Sequence, residues 1–137
     1  MSHRTYAYYP GCTLHSTARE YDVSTRLVCR ALDIELRELK DWTCCGASSA
    51  HTLDHLLSIV LPARELKMAE EMGLPLVVAC AMCFSRLKFA AYKLTDRVTR
   101  GRVSEILGKE LQNSAAVLPL LQILDEERGS FPLKKSL

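Results

Sequence analysis

The chain has 137 residues, 48% hydrophobic and 25% charged, with 18 basic and 16 acidic side chains for a formal net charge of +2. That is enough apolar material for the core of one domain, or one domain with an appendage, without cysteines as staples. So small a net charge points to neither a nucleic acid nor a membrane surface as a partner.

In chain order, the opening "MSHRTYAYYPGC" lacks the apolar core of a signal peptide. Residues 5–9, "TYAYY", are β-branched and aromatic and predict a strand, ended by Pro10-Gly11 at a turn that delivers Cys12. From Ser16 to about Leu32 a helix is expected, with Ala18, Tyr21, Leu27, Val28, Ala31 and Leu32 mostly on one stripe. "IELREL", residues 34–39, alternates apolar and charged positions as a half-buried strand does. After "DWTCCGAS", Ser48 or Ser49 is the expected N-cap of a helix carrying Leu53, Leu56, Leu57, Val60 and Leu61. Pro62 should kink that helix or start a second one, and Gly73 should end it.

"LPLVVAC" then reads as a buried strand, and a helix opens near Ala81 with Leu87, Phe89, Ala90 and Tyr92 on its apolar face. The most apolar run, residues 74–84, is too short to span a bilayer and is interrupted by Pro75. From about Arg102 two amphipathic helical stretches are separated near Asn113 to Ala115, and the tail after Gly129 carries little signal. Alternating strands and helices predict an α/β domain with a small parallel three-stranded sheet flanked by helices. Residues 1–100 are expected to form this cysteine-rich domain and residues 101–137 a C-terminal helical extension and tail. The expected compartment is the cytoplasm, where six cysteines argue for metal or redox chemistry rather than disulfides.

Five of those cysteines fall where strands or loops hand over to helices: Cys12, the pair Cys44 and Cys45, and Cys80 with Cys83. In an open α/β sheet that is the end where ligands bind. Adjacent cysteines seldom pair with each other, because the ring they close is strained. A tetrahedral zinc site uses four ligands and leaves one over. A thioredoxin-like dithiol would use only Cys80 and Cys83. An iron–sulfur cluster has several irons to ligate at separated points, so two adjacent thiolates can serve different parts of it. Ligand count favours the cluster, with zinc and a redox dithiol as alternatives. Gly11 and Gly46 remove side-chain bulk beside the ligands, and plain turn geometry accounts for them about as well.

"YYPGC", "WTCCGASSAH" and "VACAMCFSRLK" together resemble the CCG cysteine-rich domain, with the closest likeness to the N-terminal half of the B-subunit of heterodisulfide reductase. The likeness runs from about Thr5 to Leu94 and continues weakly through "LPLLQILDEER". It implies that Cys12, Cys44, Cys45, Cys80 and Cys83 ligate one noncubane 4Fe–4S cluster, with a cubane 4Fe–4S cluster or zinc as alternatives. In that family the cluster cleaves a low-molecular-weight disulfide, such as that of coenzymes M and B in methanogenesis, and takes up a substrate sulfur on iron. Electrons come from a ferredoxin-like iron–sulfur subunit fed by a flavoprotein subunit. Family members usually carry two such domains in tandem, whereas this chain ends in "FPLKKSL", about where a second would begin. A second CCG domain on another chain, or a second copy related by a two-fold axis, is therefore expected as partner. The alternative function is an electron-transfer module of another oxidoreductase without substrate contact, or less consistently a zinc-binding interaction domain.

The remaining candidates have bland readings beside the functional ones. His15, His51 and His55 lie near the ligand loops and titrate near neutrality, and His51 follows the CCG loop most closely as a proton donor. Cys29, inside the first helix, reads as core packing. Trp42 is expected to shield the site from water, and Arg86 and Lys88 to form a solvated helix face. Tyr8 and Tyr9 read as strand core, with the phenol nearest Cys12 within reach of the site.

Overall fold

The computed structural model describes residues 4–11, 18–43 and 55–127. The elements in order are β1 (Arg4–Tyr9), α1 (Arg19–Ala31), β2 (Ile34–Glu38), α2 (His55–Met72), β3 (Leu76–Val78), α3 (Ala81–Lys93), α4 (Arg97–Leu107), β4 (Val117–Pro119) and α5 (Leu120–Glu126). The strands form one parallel sheet in the order β2-β1-β3-β4.

Side chains of β1 alternate between two cores, as the pleat of a doubly covered sheet requires. Tyr6 and Tyr8 pack on one face with Cys29, Leu32, Ile34, Val77, Leu120 and Ile123, so α1 and α5 cover that side. Ala7 and Tyr9 pack on the other with residues of α2, α3 and α4 such as Ile59, Leu66, Leu87 and Val103.

The expected α/β class is present, with a fourth strand in place of the expected three. Residues 117–119 pair with β3, Leu76 opposite Val117 and Val78 opposite Pro119. A three-residue strand is too short to alternate visibly, and the leucines around it read as helical. Beyond residue 100 the chain thus completes α4, adds β4 to the same sheet and ends its described part in α5.

Three smaller expectations change. On α1 the buried positions are Thr25 and Cys29, with Leu32 just beyond, while Tyr21, Leu27 and Val28 are exposed. Thr25 tolerates burial because its hydroxyl donates to the Tyr21 carbonyl at 2.8 Å. Pro62 does not start a second helix, since a single helix of 18 residues runs through it. An interior proline costs about 3 kcal/mol, which burial of Ile59, Pro62, Ala63, Leu66 and Ala69 on one stripe offsets. Gly73 does end the helix, in the left-handed region at φ +69°. On α3, Leu87 and Ala90 are buried as expected and Tyr92 is exposed. The proposed caps Ser48 and Ser49, and the tail after Gly129, lie outside the described residues.

Candidate cysteine-ligated site

All strands being parallel, the ends of β1, β2 and β3 lie on one edge of the sheet, with Tyr8 in register with Glu38 and Tyr9 with Val78. The strand order reverses between β1 and β3, because β1 connects outward to β2 on one side and β3 to β4 on the other. The crevice outside the carboxyl ends of strands at such a reversal is where open α/β sheets bind ligands. Gly11 follows β1 there, and Cys80 follows β3.

Cys80 occupies the N-cap position of α3 in extended conformation, and Cys83 lies in the first turn. Cys83 is buried and Cys80 half-buried, and neither is in a disulfide. The dipole of a helix start favours negative charge placed beside it. Gly11 adopts φ +80°, and a Cβ there would lie 3.2 Å from Cys83 Sγ and 3.7 Å from Tyr9 Cε2. The missing side chain is thus required twice, by the backbone turn and by the sulfur beside it.

Tyr9 links this pair to the segment leading to the double cysteine. Its buried hydroxyl donates to the Thr43 carbonyl at 2.7 Å, and its ring meets Trp42 edge-on with centroids 5.5 Å apart. From the other side Glu65 Oε1, on α2, accepts from the Thr43 N–H at 2.9 Å and the Thr43 hydroxyl at 3.0 Å. Arg64 donates to the Asp41 carbonyl at 2.6 Å and pairs with the Asp41 carboxylate at 2.9 Å. Both backbone polar groups of the residue preceding Cys44 are therefore held by side chains from the core. Trp42 itself is anchored through Nε1, which donates to Glu38 at 2.8 Å, and Glu38 accepts from Arg26 at 2.6 Å. Arg26 also pairs with Asp22, which accepts from the Tyr8 hydroxyl. Burial, then that bond to Asp22, pushes the Tyr8 phenol well above its ordinary pKa.

Of the residues expected from sequence, Gly11, Cys80 and Cys83 come together. Cys12, Cys44, Cys45, Gly46, His15 and His51 lie outside the described residues, and no cluster of three or more metal-ligating side chains forms among the described ones. His55 is exposed at the start of α2, its ring edge-on to Phe89 at 6.5 Å. Cys29 is buried in the core under α1, as expected, and desolvation raises its pKa to about 11. Lys88 is exposed, but Arg86 is not the solvated residue expected, since it is half-buried and lies over Phe89. A groove of about 790 Å³ opens elsewhere, beside Lys40, Arg64, Lys67, Met68 and Lys109; neither Cys80 nor Cys83 lines it.

Sequence reasoning missed Glu65. The signal was present: Glu65 falls on the stripe of Ile59, Pro62, Leu66 and Ala69, and a carboxylate on a core-facing stripe has to be bonded.

The family model of the CCG cysteine-rich domain matches residues 6–88, more than half of the chain. The chain belongs to the CCG cysteine-rich domain family. The 8-methylmenaquinol:fumarate reductase membrane anchor subunit of Wolinella succinogenes is 36% identical over 88% of this chain and 43% of its own. A heterodisulfide reductase B-subunit-like protein of Archaeoglobus profundus is 31% identical over 96% of this chain and 46% of its own. The B-subunit of the ferredoxin/F420H2-dependent CoB-CoM heterodisulfide reductase of Methanosarcina acetivorans is 25% identical over 90% and 43%. The chain thus spans less than half the length of each of these relatives. No helix among the described residues is long and apolar enough to cross a membrane.

At the family level these likenesses support an oxidoreductase subunit with an iron–sulfur cofactor. The residues present fit such a group: two cysteines at a helix start, neither in a disulfide, with Gly11 keeping the space beside Cys83 Sγ clear of a side chain.

Proposed function

We propose that this CCG chain is the iron–sulfur subunit of a heterodisulfide reductase-type complex, and that it serves the reductive cleavage of a low-molecular-weight disulfide. The observation that carries the reading is the convergence of Gly11, Thr43 and Cys83 around Tyr9. In sequence Cys12 follows Gly11 and Cys44 follows Thr43. Cys12, Cys44, Cys45, Cys80 and Cys83 would together hold a noncubane 4Fe–4S cluster, which when bound supplies electrons one at a time at a thiophilic metal. The overall reaction takes one disulfide, two electrons and two protons to two thiols. The electrons come from a ferredoxin-like iron–sulfur subunit served by a flavoprotein, and a second CCG domain or a second copy of this chain completes the assembly in the cytoplasm.

The chain's own residues fix and shield the site. Glu65 and Tyr9 hold the approach to the double cysteine, Trp42 covers Tyr9, and the start of α3 stabilises negative charge at Cys80 and Cys83. His51 is the proposed proton donor to the departing thiolate.

A second reading has its own support. The relative named as a menaquinol:fumarate reductase membrane anchor is 36% identical, which favours an electron-transfer module that never touches a disulfide. Anaerobic reconstitution separates the readings. The first expects about four irons per chain, loss of the cluster in Cys45→Ser, and a change in the cluster's paramagnetic resonance spectrum when thiol is added to the oxidised protein. An unchanged spectrum would favour the second reading, and a colourless protein with stoichiometric zinc would overturn both.

A further inference from the structure

Arg86 differs from every other described arginine. It lies three residues beyond Cys83 on α3 and is half-buried, with its guanidinium carbon 4.8 Å from the centre of the Phe89 ring. Its Nε is sealed from water and has no hydrogen-bond partner among the described residues. The other partly buried arginines spend their donors on protein acceptors. Arg4 reaches Glu126 and Glu127, Arg26 Asp22 and Glu38, Arg64 Asp41, and Arg100 the Leu94 carbonyl. Arg19, Arg30, Arg97 and Arg102 are exposed, where water solvates them.

A guanidinium drawn part-way out of water without an anion is unfavourable. Stacking on an aromatic face offsets only part of that. It does, however, hold the planar fork in one orientation with its outer nitrogens uncommitted among the described residues, the arrangement that receives a carboxylate or phosphate in bidentate fashion. Lys93 adds a second cation, its Nζ 5.5 Å from the centre of the same ring. Met82, Arg86, Phe89 and Lys93 follow one another at i, i+4, i+7 and i+11, a single helical stripe. The stripe begins between the two cysteines, where Met82 is 61% exposed.

We propose that Arg86, backed by Phe89 and assisted by Lys93, is an anion-binding subsite. It takes the acidic group (carboxylate, sulfonate or phosphate) of a small thiol or disulfide whose sulfur lies at the Cys80–Cys83 end of α3. The position of the sulfur rests on the disulfide-cleavage reading, whereas the anion site rests on Arg86.

Calorimetric titration of the cluster-loaded protein under anaerobic conditions tests this, using 3,3′-dithiodipropionate against the uncharged bis(3-hydroxypropyl) disulfide. The native protein should bind the charged disulfide about tenfold or more tightly than the neutral one, as a charge-assisted pair provides. Arg86→Met should erase that preference and Arg86→Lys should keep part of it. Affinity for the neutral disulfide, the melting temperature and the cluster's midpoint potential should stay as in the native protein. No preference in the native protein, or a preference that survives in both Arg86→Met and Arg86→Gln, would overturn the subsite. So would a shifted potential with unchanged binding, which would make Arg86 a counter-charge to the cluster. If the charged disulfide binds through Arg86 while thiols leave the cluster's spectrum unchanged, the subsite stands and the cleavage reading falls.

Discussion

Gly11 concentrates several constraints in one residue. Its φ of +80° is a region that L-residues enter at a cost of about 1–2 kcal/mol, and its absent Cβ leaves Cys83 Sγ room on the side of β1. Gly11→Ala should therefore lower stability by about 1–2 kcal/mol in chemical denaturation. It should also lower iron loading, because the neighbouring sulfur has to move. A variant that loses stability and loads fully would show that the glycine serves the turn alone. The "PGC" triplet revealed the turn but not the sulfur, since Cys83 is 72 positions further along the chain.

Among the elements, α2 is a brace for residues 41–43 as well as a core helix. Ile59, Leu66 and Ala69 face the sheet, and from the same helix Glu65 grips Thr43 while Arg64 grips Asp41. Removing the carboxylate in Glu65→Ala leaves the Thr43 N–H without that acceptor, a loss of about 1–3 kcal/mol. Iron retained after gel filtration should fall with it. Glu65→Gln keeps a carbonyl oxygen within reach and should retain more of both. Equal loss in the two variants would assign the role to charge rather than to the hydrogen bond. Periodicity made α2 legible as a helix, yet it left open a second helix starting at Pro62, where one helix runs through. It also placed Tyr21, Leu27 and Val28 of α1 inside, because it weighs apolar character and not which stripe the sheet covers. Arg86 was misread for a related reason, since a charge on a helix reads as solvated until the ring beneath it is known.

Across the molecule as a whole, the loop before β4 ties the C-terminal segment into the fold. Glu70 accepts from the backbone N–H groups of Gln112 and Ser114, each at 3.0 Å, and from Lys67 at 3.2 Å. Burial by itself would raise the Glu70 pKa, but these donors outweigh it and hold the carboxyl below its ordinary value. A depressed folded-state pKa stabilises the fold above the ordinary glutamate range, and that contribution is lost as the pH falls through the folded value. Glu70→Gln should accordingly have a lower urea midpoint than the native protein at pH 7, with the gap closing toward pH 3. A gap that persists at acid pH would mean that the side chain's shape matters and its charge does not.

The α/β class, the parallel sheet, most element boundaries and the cysteine pattern that marks the family were all legible in the order of residues. Those properties are written in local periodicity, turn residues and spacing, which act between near neighbours along the chain. Folding was needed to show that a fourth strand joins the sheet and that the strand order reverses beside Gly11 and Cys80. It alone brought Tyr9, Thr43 and Glu65 together and set Arg86 over Phe89 with its Nε unbonded. These are contacts between residues far apart in the chain or matters of burial, and a residue type and its neighbours do not encode which distant partner will satisfy it.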